Sequence, residues 1–401
     1  MTLPNCMPSL RNKRLILGLS GGIAAYKAAE LCRLLVKDGA EVKVVMTPGA
    51  QSFITPLTMQ ALSGQRVHTD LLDVEAEAAM GHIELARWAD LIVVAPASAS
   101  FIARLANGEA SDLLSTLCLA RRGPLAIAPA MNQAMWHNAA TQANLQTLRE
   151  RGVTIWGPDS GAQACGDVGL GRMLEPSALL ALAQSSFESG LLAGKKVTLT
   201  AGPTREALDP VRYLSNHSSG KMGYALAEAA AEAGADVTLV TGPTALEAPE
   251  RVKTIKVESA EDMLQACQAH PADIFIGVAA VADYRPAAPA AHKIKKSQDT
   301  LTLTLVRNPD ILATMAASSP KPFCVGFAAE TQDLARYARG KLEAKGLDLV
   351  FANDASATFG NDEAEVLALW RDGETLLERA SKTQLAREMI RLISSRLAQR
   401  P

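Results

Sequence analysis

The chain has 401 residues, of which 48% are hydrophobic and 20% charged, with a formal net charge of −2 at pH 7. That length accommodates two domains with ample cores, and the near-neutral balance gives no electrostatic reason to expect nucleic acid or an anionic membrane as partner. No apolar run reaches the roughly eighteen residues of a membrane span, and no signal peptide is expected. Six cysteines without CxxC spacing (Cys6, Cys32, Cys118, Cys165, Cys267 and Cys324) point to reduced thiols in a cytoplasmic protein.

In chain order, Arg14–Leu19 reads as a buried parallel strand, followed by the turn Ser20-Gly21-Gly22-Ile23 and a helix from Ala24 to Lys37. Strands continue at Glu41–Met46, Leu91–Ala95, Leu125–Ala128 and Val153–Trp156. Helices fall near Thr55–Ser63, Ile83–Trp88, Asp112–Leu119 and Ala139–Arg151. This alternation predicts a doubly wound parallel sheet that binds its ligand at the carboxyl ends of the strands. The first loop is not a dinucleotide GxGxxG, because Gly18, Gly21 and Gly22 are wrongly spaced, and the second strand ends in Thr47 rather than a ribose-binding acid. A mononucleotide with a terminal phosphate fits better than NAD, which disfavours a nicotinamide oxidoreductase. Taken alone, the same loop is equally well a tight strand–helix turn.

The third strand is followed by Pro96-Ala97-Ser98-Ala99-Ser100 and later Gly108–Asp112, and the fourth by Pro129-Ala130-Met131-Asn132. Small hydroxyl residues and an Asn recurring at successive strand ends can wrap a polar ligand without charge. His82 sits at a helix start, where the dipole would keep imidazole neutral and basic; a cap or interface residue is the plainer reading. Cys165 lies in Gly157–Arg172, where five glycines suggest a mobile lid carrying a thiol, or an incidental loop cysteine.

The ordered motifs SGGIAAYK, GHIEL, PAS, PAMN and ACGD resemble the flavin-dependent cysteine decarboxylases. The resemblance implies bound FMN and the substrate 4′-phosphopantothenoylcysteine. FMN would oxidise the cysteinyl thiol to a thioaldehyde so that CO₂ can leave, and would then return the electrons. It makes His82 the base-like residue at the flavin, Asn132 the ligand of the substrate carboxylate and Cys165 the proton donor to the enethiolate. Gly21, Gly22, Ile23, Thr47, Ser98 and Ser100 fall where FMN contacts are expected. Ser111 departs from the Asn or Asp more often found before the retained Asp112.

Pro176–Leu192 reads as a closing helix, which places a domain boundary near 190, with domains 1–190 and 191–401. The strand Lys196–Thr200, the loop Ala201–Gly223 and a helix Tyr224–Ala233 then begin a second α/β unit. Strands follow at Thr254–Val257, Ile274–Gly277, Phe323–Phe327 and Leu347–Ala352, with Leu301–Val306 as an additional half-exposed strand. Helices fall at Ala260–Ala269, Ile311–Ala317, Thr331–Lys345 and Lys382–Leu397. Ser219-Gly220-Lys221-Met222 is not a P-loop, because Ser215 and Met222 stand where Gly and Ser/Thr are required. Nucleotide contacts are therefore expected at Lys293-Ile294-Lys295-Lys296, at Asn308-Pro309-Asp310-Ile311, and at Lys341 with Lys345, which share one helical face. Any one of these lysines alone reads as a solvated surface residue.

The order AGPTRE, DPVRYLSNHSSGKMG, AAVADYRP, KIKK, NPDI, VGFAAET and AND resembles the bacterial, CTP-using phosphopantothenate–cysteine ligases. By that resemblance Asn216 binds the phosphopantothenoyl carboxylate and Arg212 lies in the supporting loop. Gly277, Val278, Ala279, Asp283, Lys293, Asn308, Pro309, Asp310, Ile311, Phe327, Lys341 and Lys345 contact the cytidine nucleotide. Lys293 would stabilise charge on the α-phosphate as an acyl-cytidylate forms, with Mg²⁺ bridging the phosphates; no ligands for the metal are assigned.

The expected fold is α/β, with two doubly wound, Rossmann-like domains and mainly parallel sheets. Spanning roughly residues 10 to 400, the resemblance implies a bifunctional enzyme of coenzyme A biosynthesis. It would ligate cysteine to 4′-phosphopantothenate with CTP, decarboxylate the product with FMN, and assemble as a homo-oligomer. The rival expectation is a flavoprotein regulatory subunit that has lost catalysis, against which His82, Asn132 and Cys165 argue.

Overall fold

The structure is a computed structural model that describes residues 9–71, 81–295, 300–330, 333–354 and 362–400. Cys6, Lys296 and Thr331, named above, lie outside the described residues. The chain separates into two compact units, one ending at Phe187 and the other beginning at Glu188.

In the N-terminal unit, β1 (Arg14–Leu19), β2 (Glu41–Met46), β3 (Leu91–Ala97), β4 (Leu125–Pro129) and β5 (Thr154–Ile155) form one sheet in the order β2-β1-β3-β4-β5. All four pairings are parallel. The near-continuous apolar runs of β1 and β3 follow from burial on both faces. One face packs Leu15, Leu17, Val93 and Ala126 against the helix Ala25–Lys37, which buries Ala28, Leu31, Cys32 and Leu35. Ile16, Ile92 and Ile127 on the other face meet the helices Ala99–Asn107 and Leu113–Ala120. The first of these two helices is not anticipated from the sequence, because Ser98-Ala99-Ser100 reads as loop. In fact Ser98 is its N-cap, accepting a hydrogen bond from the Phe101 amide at 3.2 Å.

Two sequence expectations are corrected here. The stretch around Cys165 is a β-hairpin, β6 (Asp159–Ala162) with β7 (Val168–Arg172), antiparallel, and Cys165 lies in the connection between the two strands. Its glycines serve close packing: a Cβ at Gly171 would lie 2.3 Å from the Met131 carbonyl oxygen, and one at Gly169 2.2 Å from Gln133 Oε1. The closing helix stops at Ser185, with Ser186 as C-cap. Leu192, assigned to that helix from sequence, lies in the core of the C-terminal unit instead.

In the C-terminal unit the main sheet has eight strands. They are β8 (Lys196–Ala201), β11 (Asp236–Thr241), β12 (Val252–Lys256), β13 (Ile274–Gly277), β16 (Phe323–Glu330), β17 (Leu349–Asp354), β18 (Glu363–Trp370) and β19 (Gly373–Ser381). Their order is β12-β11-β8-β13-β16-β17-β18-β19, parallel up to β17 and antiparallel beyond it. The β18–β19 hairpin is not among the sequence expectations, so that end of the sheet is antiparallel. Two short antiparallel pairs stand apart from it: β9 (Arg205–Ala207) with β10 (Tyr213–Ser215), and β14 (Tyr284–Pro286) with β15 (Leu305–Arg307). The expected strand at Leu301–Val306 is thus cut back to Leu305–Arg307, the residues that pair with Tyr284–Pro286; just ahead of them the Thr304 carbonyl accepts from the Ala287 amide at 2.9 Å.

The helix after the first loop starts at Lys221, a turn earlier than its apolar pattern begins, because Gly220 caps it with φ +77°. Gly223 brings that helix down onto β8: a Cβ there would lie 2.5 Å from the Ala201 Cβ. The helix Leu334–Ala344 follows β16, and the helix Lys382–Ala398 follows β19 and buries Leu385, Met389, Ile390 and Ile393. No helix among the described residues is long and apolar enough to cross a membrane.

Candidate functional site

The N-terminal unit carries a cleft of about 370 Å³ at the carboxyl ends of β1, β2 and β3, where the strand order reverses. It is lined by Ser20 and Gly21 after β1, Thr47 to Gly49 after β2, Ser98 and Ser100 after β3, and Arg104, Ser111 and Asp112. Of the expected flavin contacts, Gly21, Thr47, Ser98 and Ser100 line this cleft, whereas Gly22 and Ile23 do not, and Ile23 is exposed. Gly21 is needed for close approach, since a Cβ there would sit 3.0 Å from the Gly49 backbone. Thr47, Ser98 and Asp112 each cap a helix by accepting from Ala50, Phe101 and Ser115 amides. Their caps hold three helix starts at the rim, a polar setting suited to an anionic group.

Arg104 is a lining residue that the sequence reading missed. Its Nη1 donates to Ser111 Oγ at 2.9 Å and to Asp112 Oδ2 at 2.6 Å. Burial opposes ionisation of Asp112, but the Ser115 amide, Arg104 and the Ser115 hydroxyl outweigh it and hold its carboxyl below the usual range. The signal for Arg104 was its place four residues after Ser100, on one helical face. Ser111, the departure noted in the sequence, engages Arg104 through its hydroxyl. Ser20 is 1% exposed; its hydroxyl donates to the Pro96 carbonyl and accepts from the Ser98 amide, both at 2.8 Å. It therefore ties the first loop to the third.

Asn132 and Cys165, 33 residues apart, meet after β4: Asn132 Nδ2 lies 3.2 Å from Cys165 Sγ. The same amide donates to Asp167 Oδ2 at 2.7 Å and Gln163 Oε1 at 3.2 Å, while its Oδ1 caps the following helix by accepting from Ala134 at 2.8 Å. The hairpin is fixed to this corner because the Met131 amide donates to the Gly171 carbonyl at 2.9 Å. Its base is fixed by buried Lys27, whose Nζ donates to the Met173 carbonyl at 2.9 Å and pairs with Glu175 at 2.7 Å. Cys165 is the exposed thiol among the described cysteines. Burial pushes Cys32 and Cys324 up to about 11 and Cys118 and Cys267 up to about 12, which keeps those four as inert thiols. His82 is the second residue of the helix Gly81–Trp88, and its buried Nδ1 has no hydrogen-bond partner among the described residues. An orphaned buried nitrogen of this kind fits a bound group that completes it.

In the C-terminal unit the loop after β13 is pinned by side chains. Thr200 Oγ1 accepts from the Val278 and Ala279 amides at 3.2 and 3.1 Å, and Thr204 Oγ1 from the Ala282 amide at 3.0 Å. Asn216 Nδ2 donates to the Ala280 and Val281 carbonyls at 3.2 and 3.1 Å. Gly277, expected to admit a ligand, faces the helix Ile311–Ala316; its Cβ would lie 3.1 Å from Leu312 Cδ1. Asp283 and Asn308 are adjacent, the Asn308 amide donating to the Asp283 carbonyl at 2.8 Å and its Nδ2 to the Ala282 carbonyl at 2.7 Å.

Pro309 precedes Asp310, which caps the helix beginning at Ile311 and pairs with Lys345 at 2.7 Å. Partial burial of Asp310 is outweighed by Lys345, the Ala313 amide and the nearby Lys341, so its carboxyl lies below the usual range. Lys341 Nζ donates to the Phe327 carbonyl. The two lysines are thus gathered with Asp310 and Phe327. Lys293 is exposed, on a segment beside Arg212. No group of three or more His, Cys, Asp or Glu residues placed to hold a metal occurs among the described residues.

The flavoprotein family model matches residues 7–188, and that of the DNA/pantothenate metabolism flavoprotein C-terminal domain matches residues 192–397. The coenzyme A biosynthesis bifunctional protein CoaBC of Vibrio cholerae is 57% identical over 399 residues, covering 98% of this chain and 100% of its own. The chain belongs to the coenzyme A biosynthesis bifunctional protein family. Its Escherichia coli member is 52% identical over 398 residues, covering 97% of this chain and 98% of its own. Among solved structures, the C-terminal domain of a CoaBC protein covers 53% of this chain and 100% of its own at 42% identity, with a TM-score of 0.46. As a CoaBC family member the chain is a bifunctional enzyme of coenzyme A biosynthesis, with a flavoprotein half and a decarboxylase activity alongside a ligase activity. The expectation of a bifunctional enzyme therefore stands, and the rival of a catalytically silent regulatory subunit falls.

Proposed function

We propose that the two activities divide near residue 190. The C-terminal half would join cysteine to 4′-phosphopantothenate at the expense of CTP, and the N-terminal half would convert 4′-phosphopantothenoylcysteine to 4′-phosphopantetheine with FMN. The observation that carries the decarboxylase assignment is the Asn132–Cys165 contact at 3.2 Å, an amide donor and a solvent-accessible thiol brought together after β4.

Ser98, Ser100, Thr47 and Gly21 would hold FMN at the cleft, with His82 Nδ1 as a further polar partner. Gly22 and Ile23 would contact it from outside the lined cleft. Bound FMN supplies the two-electron oxidation of the cysteinyl thiol and its later reversal. Asn132 orients the substrate carboxylate, whose C–C bond breaks once the neighbouring carbon is electron-poor. Cys165 then gives a proton to the enethiolate that remains.

In the ligase half, Asn216 holds the 4′-phosphopantothenate carboxylate. A carboxylate oxygen attacks the α-phosphorus of CTP, pyrophosphate leaves, and the acyl-cytidylate is opened by the cysteine amine with loss of CMP. Lys293 stabilises the charge that grows on the α-phosphate. Gly277 to Ala279, Asp283, Asn308 to Ile311, Phe327, Lys341 and Lys345 bound the nucleotide. Mg²⁺ held mainly by phosphates and water would neutralise the triphosphate. The protein would work in the cytoplasm and as a homo-oligomer, the assembly being supported by the exposed apolar side chains of Ile23, Tyr26 and Leu57.

Lys293→Gln tests the ligase assignment. Loss of one charge-stabilising donor lowers the rate of pyrophosphate release by about a hundredfold while CO₂ release from supplied 4′-phosphopantothenoylcysteine stays normal. An unchanged pyrophosphate rate removes Lys293 from the mechanism.

A further inference from the structure

Asp209 has no role in the reading above, yet it is a buried carboxylate beside the ligase residues: its side chain is 0% exposed. It sits in the turn Leu208–Arg212, closed by the Leu208 amide donating to the Arg212 carbonyl at 2.8 Å. Asp209 Oδ1 accepts from the Val211 and Arg212 amides, both at 2.8 Å. Oδ2 accepts from Arg212 Nε at 3.0 Å, Arg212 Nη2 at 2.6 Å and, from 85 residues away, the Ile294 amide at 3.0 Å. Arg212 Nη2 also donates to the Ile294 carbonyl at 2.7 Å. Both backbone polar groups of Ile294 are therefore held by one ion pair. The Ala290 amide adds a further tie by donating to the Leu208 carbonyl at 2.9 Å.

Backbone held at Ile294 fixes the directions in which its two exposed neighbours, Lys293 and Lys295, can project. Charge-assisted hydrogen bonds to a buried carboxylate are the strong ones, and here they are five on one group. The Arg212 guanidinium holds the Asp209 carboxyl well below the usual carboxylate range. That lowering favours the charged carboxylate, so the clasp acts as a fixture held by its geometry.

We propose that Asp209 is a positioning residue for nucleotide activation: with Arg212 it clasps Ile294 and so aims Lys293 at the triphosphate. This rests on the Lys293 role proposed above. It makes Arg212 a structural partner of the clasp rather than a direct ligand of the substrate. Misplacing a charge-stabilising group by an ångström is enough to slow the chemical step steeply.

Two measurements on the full-length protein test it. The first is limited trypsin digestion at Lys293 and Lys295, read by mass spectrometry without any substrate. Asp209→Asn and Arg212→Gln should each speed cleavage there by about tenfold over the wild-type chain, the order expected when a local restraint is lost, and leave cleavage after Lys195 and Lys196 unchanged. Unchanged cleavage at Lys293 and Lys295 overturns the clasp, as does equal acceleration at both places, which would report general unfolding.

The second is pyrophosphate release. Asp209→Asn should lower kcat by roughly ten- to a hundredfold with little change in the KM for CTP. It should add nothing further in the Lys293→Gln background, because both changes remove the same contribution. Additive losses would show that Asp209 does not act through Lys293. Should Lys293→Gln alone leave the rate unchanged, the mechanistic reading fails, and the proteolysis result still judges the clasp by itself.

Discussion

Cys165→Ser is expected to release CO₂ but to stall before reduced product, with 4′-phosphopantetheine formation falling about 10²- to 10⁴-fold, the usual worth of a general acid. The thiol is the exposed cysteine of the described chain, carried by the connection of the β6–β7 hairpin and within 3.2 Å of Asn132 Nδ2. A serine hydroxyl keeps the shape and the hydrogen bond but gives up its proton far less readily. Oxidation and C–C cleavage precede proton delivery, so they should survive. The check is to follow ¹⁴CO₂ from 4′-phosphopantothenoyl-[1-¹⁴C]cysteine alongside the thiol product in a single turnover. Normal yield of thiol product would remove the proton-donor role, and equal loss of CO₂ would place Cys165 earlier in the sequence.

The second large effect is expected at Asn216. Its Nδ2 donates to two carbonyls, those of Ala280 and Val281. Asn216→Asp replaces that donor with a carboxylate facing two acceptor oxygens and the carboxylate of the incoming substrate. Breaking paired hydrogen bonds and adding like-charge repulsion should cost ligation roughly a hundredfold or more. Decarboxylation of supplied 4′-phosphopantothenoylcysteine should be unaffected. If both activities fall together, the two reactions do not have separate sites.

How much of this was legible depends on what local pattern can carry. The parallel strands were readable because double burial writes them as apolar runs, RLILGL and LIVVAPA being the clearest. Strand-end loops could be singled out because ligands gather there in open α/β sheets. The hairpin around Cys165 was not readable. Its alternation is broken by glycines whose purpose is contact with Met131 and Gln133, a tertiary matter absent from local sequence. Ser98 looked like loop because caps are drawn from turn residues, and only the helix it starts distinguishes the two. Arg104, Lys27 and Asp209 were passed over for a different reason: each acts through partners outside its own element, Arg104 at Ser111 and Asp112 beyond the end of its helix, Lys27 at Met173 and Asp209 at Ile294. The β18–β19 hairpin was missed because the parallel grammar of the preceding strands gave no cue that the sheet ends antiparallel.

The glycine-rich stretch that opens the second unit shows the same limit from the other side. Strand, small-residue loop and helix are all there, yet Gly220 and Gly223 are spent on a left-handed cap and on close helix–strand packing. The polar groups of that stretch turn to the loop after β13 and to the Lys293 segment. The role we propose for it is positioning: Asn216 for the substrate carboxylate, and the Asp209–Arg212 clasp for Lys293.

The claim that one chain performs both reactions in series is tested most directly by supplying 4′-phosphopantothenate, cysteine, Mg²⁺ and CTP to the FMN-loaded protein and following pyrophosphate and CO₂ separately. Pyrophosphate should appear first, CO₂ after a lag, and the two should reach equal amounts, with no CO₂ when CTP is withheld. CO₂ release without CTP, or pyrophosphate accumulating with no CO₂ to match it, would contradict the account.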